Sequence, residues 1–141
     1  MWNLERFVLV QQRNYGDALR ELRSGKKRSH WIWYVFPQIR GLGDSFMSRK
    51  YALSGLEEAR AYLAHPVLGP RLLECCQAVL AIPSGDPWAV FGSPDDMKFR
   101  SCLTLFALAQ PSQPIFEELL DKFYDGRKDP RTIQILEQME K

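Results

Sequence analysis

The chain has 141 residues, 45% of them hydrophobic and 26% charged, with a net charge of +2 at neutral pH. That length fits one domain with a real core, and the composition is globular rather than disordered or fibrous. The small net charge argues against nucleic acid as a partner, and no apolar run approaches the ~18 residues of a membrane span.

Three cysteines, with Cys75 and Cys76 adjacent, do not make a disulfide framework. Cys102, followed by Leu103, Leu105 and Phe106, reads as a small buried hydrophobe. The N-terminus has no basic segment leading into an apolar one, so no secretory signal is expected and a reducing cytoplasm is the expected setting. The charge is unevenly spread. Residues 20–50 carry eight cations against Glu21 and Asp44, a balance of +6. Such a local field can attract an anion.

In chain order, Asn3 is placed to cap a first helix with Leu4, Phe7, Val8 and Gln11 at helical spacing. A second amphipathic segment runs from Tyr15 to Ser24, and Gly25 suits the left-handed position after it. Lys26, Lys27 and Arg28 follow, where cations complement the negative end of that helix. Trp31 to Phe36 is six consecutive apolar residues, consistent with a buried strand or a buried helical turn. No other segment offers a strand to pair with, which favours helix. Pro37, Gly41 and Gly43 then turn the chain.

Ser54-x-x-Glu57 is a capping box opening a helix that ends at His65, before Pro66. Pro70 fits the first position of the next helix, which reaches about Ile82. Asp86-Pro87 starts a short turn holding Trp88 and Phe91. Ser93-Pro94-Asp95-Asp96 supplies a capping serine, a proline at N1 and two first-turn carboxylates. The helix it opens reaches Ala109 and is nearly all apolar from Leu103 onward, the pattern of a central buried helix. Pro114 opens a helix ended by Gly126, and Asp129-Pro130 opens the last. The expected architecture is all-α, one compact multihelical domain over residues 1–141 with an apolar central helix near residues 94–109.

Several strings in the chain are long enough to carry a resemblance. They are Ser29-His30-Trp31-Ile32-Trp33-Tyr34-Val35-Phe36-Pro37-Gln38 with Gly41-Leu42-Gly43, and Glu58 through Leu72. A third is Phe91-Gly92-Ser93-Pro94-Asp95-Asp96 with Lys98, Arg100, Ser101, Thr104, Leu105 and Phe106. With the opening Leu4-Glu5-Arg6-Phe7 and Gln11, the chain resembles the bacterial domain-of-unknown-function 1810 family over nearly its whole length. The resemblance implies a compact all-helical domain, supports helix for Trp31 to Phe36, and implies no established activity. Some members carry the label calpastatin, an inhibitor of a calcium-activated cysteine protease. True calpastatins are disordered, whereas this chain has the pattern of a packed domain. One departure is Ser101-Cys102, where relatives often have two adjacent serines.

The candidate chemistry gathers around Lys26 to Gly43. If Trp31 to Phe36 enters the core, His30, Gln38 and Arg40 are held at its edge. His30 can act as a general base or an anion ligand, because imidazole titrates near neutrality; it also suits a purely structural place at a helix start. Arg40 with Gly41 and Gly43 can cradle a phosphate through backbone N–H groups, although the rest of a P-loop pattern is missing. Asp95 and Asp96 diverge by ~100° on a helix, so one is a dipole partner and the other can face a pocket. Trp31, Trp33, Tyr34 and Phe36 suit the core, with one of them a candidate pocket wall. Two histidines and scattered cysteines do not form a metal-ligand pattern, and no metal or cofactor is expected.

Two functions fit. The first is a pocket for an anionic, phosphate- or nucleotide-like small ligand, lined by Lys27, His30, Gln38, Arg40 and Lys98. If it also hydrolyses that ligand, His30 or Asp95 would activate water and Arg40 would stabilise developing charge. The second is a protein-interaction module that offers the basic 20–50 surface to an acidic partner, without catalysis. The pocket requires His30 and Arg40 to converge on a concavity; the module requires the cations to spread over an exposed face.

Overall fold

The computed structural model describes residues 2–140. Its first helix, α1 (Glu5–Arg23), is continuous where the sequence pattern predicts two segments. The buried stripe of Phe7, Gln11, Ala18 and Leu22 keeps helical spacing straight across Gly16, so packing outweighs the ~1 kcal/mol that glycine costs inside a helix. Asn3 does not cap it: Leu4 holds the cap position with no side-chain hydrogen bond. Gly25 takes the left-handed conformation (φ 90°) and ends the helix, as its place in the sequence predicts.

Trp31 to Phe36 is helical in its middle: α2 (Ile32–Val35) is one short turn, and Trp31 and Phe36 flank it inside the core. After it, Ile39 forms an isolated parallel bridge with Leu53. A short helix α3 (Phe46–Lys50) follows, capped by the Ser45 hydroxyl, which accepts from the Ser48 N–H at 3.1 Å.

Helix α4 (Leu56–Ala64) starts one residue later than the capping box implies. Gly55 holds the cap position, and the Ser54 N–H donates to Oε1 of Glu58, not Glu57, at 2.7 Å. Glu58 takes this role because it faces inward, where Arg6 pairs with it. Helix α5 (Leu68–Leu80) starts before Pro70, which sits in its first turn, where no intrahelical donor is lost. Two N–H groups at its start are met by His65, whose Nδ1 accepts from Val67 and Leu68 at 3.1 and 3.2 Å. Gly69 allows α4 and α5 to touch: a Cβ there would lie 2.0 Å from the Leu63 carbonyl oxygen.

Asp86 caps the short α6 (Pro87–Phe91) as expected. Helix α7 (Asp95–Ala109) has Pro94 at its cap position, and Ser93 makes no capping bond. The carbonyl of Gly92 takes the Asp96 N–H instead, at 2.9 Å. Helix α8 (Ile115–Tyr124) ends at Asp125 and Gly126, both left-handed, and α9 (Pro130–Met139) is capped by Asp129. The fold is all-helical among the described residues, with no strand beyond that one bridge.

Helix α7 is the central element. It packs on α8, α4, α6 and α9 and touches α2. Every residue from Phe99 to Ala107 except Arg100 is buried. Around α7, Phe36, Phe91 and Phe99 form an aromatic cluster with ring centroids 4.4 to 6.1 Å apart. Lys98 and Ser101, polar residues of α7, lie on the side that faces the 38–43 segment and the start of α9.

Candidate functional site

The bridge at Ile39 builds one wall of a groove. The Arg40 N–H donates to the Leu53 carbonyl at 2.8 Å, and the Leu53 N–H donates to the Gln38 carbonyl at 3.0 Å. Side chains alternate along extended chain. Ile39 enters the core at 1% exposure, while Gln38 and Arg40 line the groove. Gly41 (φ 104°) turns the chain against α9, where a Cβ would sit 3.4 Å from Ile135 Cδ1. Gly43 lies so close to Ser48 that a Cβ would fall 2.4 Å from its Oγ.

The opposite wall comes from α7 and the loop before α9. Arg100 holds that loop: Nε donates to the Arg127 carbonyl at 2.8 Å and Nη2 to the Lys128 carbonyl at 2.9 Å. Thr104 Oγ1 accepts from the Asp129 N–H at 2.8 Å. Ser101 Oγ and the Thr132 hydroxyl and N–H all donate to one oxygen of Asp129, Oδ2, at 2.9, 2.5 and 3.2 Å. Asp129 is thus fixed by Ser101, Thr104 and Thr132 together.

The groove has two joined compartments that share Leu42, Gly43 and Arg131. The outer one, of about 530 Å³, is lined by Arg40, Arg49 and Arg131 with Gly41 and Asp44. The inner one, of about 250 Å³, is lined by Gln38, Lys98, Ser101 and Asp129, with Pro94 and Met97 as its apolar side. None of the three arginines makes an ion pair or side-chain hydrogen bond with a described residue.

Of the residues singled out in the sequence, Gln38, Arg40 and Lys98 meet in this groove. Lys27 does not. Its side chain is 5% exposed, and its Nζ lies 2.6 Å from Asp95 Oδ2 and 5.1 Å from the centre of the Trp31 ring. Asp95 is engaged by Lys27 and, at 3.8 Å, by Lys98, and lines neither compartment. His30 is exposed and also lines neither. Trp31, Tyr34 and Phe36 are core, and Trp33 lies half-buried with Lys98 Nζ 5.3 Å from its ring centre. Sequence reasoning missed Arg49, Ser101, Asp129 and Arg131 as site residues. Asp129 and Arg131 read locally as a helix start, and only the packing of α9 against Gly41 brings them to Arg40.

A second polar cluster lies outside the groove. Glu21 Oε1 accepts from the N–H groups of Arg28 and Ser29 and from Trp31 Nε1, and Oε2 accepts from the Ser29 hydroxyl. Burial pushes this carboxyl up, but the Ser29, Arg28 and Trp31 hydrogen bonds outweigh it and hold it at about 2. Burial also pushes the Cys75 thiol up to about 12, and raises Cys76 and Cys102 well above the usual thiol range. Among the described residues no three His, Cys, Asp or Glu side chains group as a metal site requires, and no helix is long and apolar enough to cross a membrane.

Fold and groove together define a small all-helical domain with a groove between the 38–49 segment, the central helix and the start of the last, its arginines gathered at the 40–49 end. The chain belongs to the family described as a protein of unknown function, DUF1810, whose model matches residues 1–136. It is similar to the conserved hypothetical protein Rv1873 from Mycobacterium tuberculosis, known from a crystal structure. The two share 48% identity over 95% of this chain and 96% of that one, with a TM-score of 0.93. Among curated proteins, none matches the chain.

Proposed function

We propose that the groove binds a small anionic ligand carrying a phosphate group. The observation that carries this reading is the convergence of Arg40, Arg49 and Arg131 on one concavity without an ion-pair partner among the described residues. Guanidinium groups match phosphate oxygens in pairs, and such charge-assisted bonds are about twice as strong as neutral ones.

Binding without hydrolysis is the form of the proposal with more support. Asp95 is occupied by Lys27, and His30 stands outside the groove. A reducing cytoplasm is the proposed compartment, supported by three free, buried cysteines. The alternative, an interaction module for an acidic protein, is supported by the exposure of seven of the eight cations of residues 20–50, by His30 lying outside the groove that holds Arg40, and by Phe46, 68% exposed beside Lys50.

A thermal-shift panel of inorganic phosphate, nucleotides and sugar phosphates tests the proposal. A ligand at a hundred times its dissociation constant stabilises by about 2.7 kcal/mol, a rise of roughly 5–15 °C for a domain of this size. A rise that Arg40→Ala abolishes supports the groove. No rise with any phosphate compound, together with capture of an acidic protein that Phe46→Ala prevents, favours the module.

A further inference from the structure

The anion reading accounts for the outer compartment and leaves the inner one unexplained. Gln38 is only 9% exposed, yet its side-chain amide has no hydrogen-bond partner among the described residues. Asp129 is 7% exposed, and all three of its side-chain hydrogen bonds fall on Oδ2. Oδ1 has no partner among the described residues. Both residues line the inner compartment, next to the Ser101 hydroxyl. Neither is sealed in the core, where Trp33 Nε1 is the one buried side-chain polar atom without a partner among the described residues; the free atoms of Gln38 and Asp129 are open to the compartment and available to a ligand.

The types of group say what would answer them. A carboxylate oxygen accepts only; an amide donates and accepts; a hydroxyl does both. Lys98 and Arg131 also line this compartment, so charge does not exclude a second phosphate, but a fully ionised phosphate has no hydrogen to donate to Asp129 Oδ1, and an apolar group would leave Gln38 and Asp129 Oδ1 without a partner from the ligand. An aliphatic hydroxyl satisfies them: its O–H can donate to Asp129 Oδ1 while its oxygen accepts from Gln38 Nε2. Acidic side chains hold ribose hydroxyls in this manner elsewhere.

Resting on the anion reading, we infer that the ligand is a phosphorylated sugar. Its phosphate lies against Arg40, Arg49 and Arg131, and its hydroxyls lie on Gln38, Ser101 and Asp129. The inner compartment, about 250 Å³, has room for one sugar ring.

Isothermal titration of the full chain at fixed ionic strength tests this, with ribose 5-phosphate, glucose 6-phosphate and the hydroxyl-free ester methyl phosphate. Asp129 also caps α9, so Gln38→Leu, which breaks no hydrogen bond of the side chain, is the variant that keeps the fold. At least one sugar phosphate should bind about tenfold or more tightly than methyl phosphate. Gln38→Leu should erase that advantage and leave methyl phosphate binding unchanged. Equal affinity for all three esters, lost together in Arg40→Ala, would overturn the sugar assignment and leave the anion site standing. No binding of any ester would overturn both.

Discussion

Glu21 and Asp129 are both carboxyl groups sunk below the surface, 8% and 7% exposed, and both hold a loop against a helix. They differ in how fully they are answered. Glu21 uses both oxygens, on four donors from Arg28, Ser29 and Trp31. Asp129 uses one oxygen and leaves the other without a protein partner at a groove. The saturated cluster leaves little for a ligand to answer and serves the fold. The half-filled one shares its compartment with Arg131, which also lines the adjoining one with Arg40 and Arg49, and none of these arginines has an ion-pair partner among the described residues. The contrast separates a structural polar cluster from a candidate binding one in the same small domain.

The comparison is broken most strongly at Glu21. Glu21→Ala strands four donors and should cost about 3 kcal/mol or more, read as a lower denaturation midpoint in urea, with ligand affinity of the folded protein unchanged. At Arg40 the expectation reverses. Arg40→Ala should weaken phosphate binding by roughly 10- to 100-fold in a titration, while stability moves by no more than about 0.5 kcal/mol.

Acid sharpens the contrast further. The Glu21 carboxyl is depressed from 4.5 to about 2 in the folded protein. Its contribution to stability is therefore fully present above pH 4.5 and is lost as pH falls towards 2. Urea midpoints between about pH 5 and 2 should fall less steeply in Glu21→Gln than in the wild type. The smallest effect is at Gln38. Gln38→Leu should change stability by about 0.5 kcal/mol or less, because its amide is bonded to no described residue.

The same contrast explains what the sequence made legible. Helix α7 could be read from its apolar run, and Asp86 and Asp129 from their place before proline, because these signals are local. The caps at Asn3 and Ser93 could not, since Leu4 and the Gly92 carbonyl took those roles through backbone geometry. Gln38 and Arg40 stood out beside the aromatic run. Asp129 and Arg131 did not, because about ninety residues separate them from Arg40 and only the packed fold joins them. His30 and Lys27 looked equally suited to an anion, but burial against Asp95 took Lys27, and the turn into α2 left His30 outside.

The most direct test of the groove is a nuclear magnetic resonance titration of the isotope-labelled protein with inorganic phosphate, following arginine side-chain and glycine amide signals. The account predicts shifts at Arg40, Arg49 and Arg131 and at the Gly41 and Gly43 amides, saturating together. Shifts confined to Lys26, Lys27 and Arg28, or spread evenly over the basic surface without saturation, would contradict it.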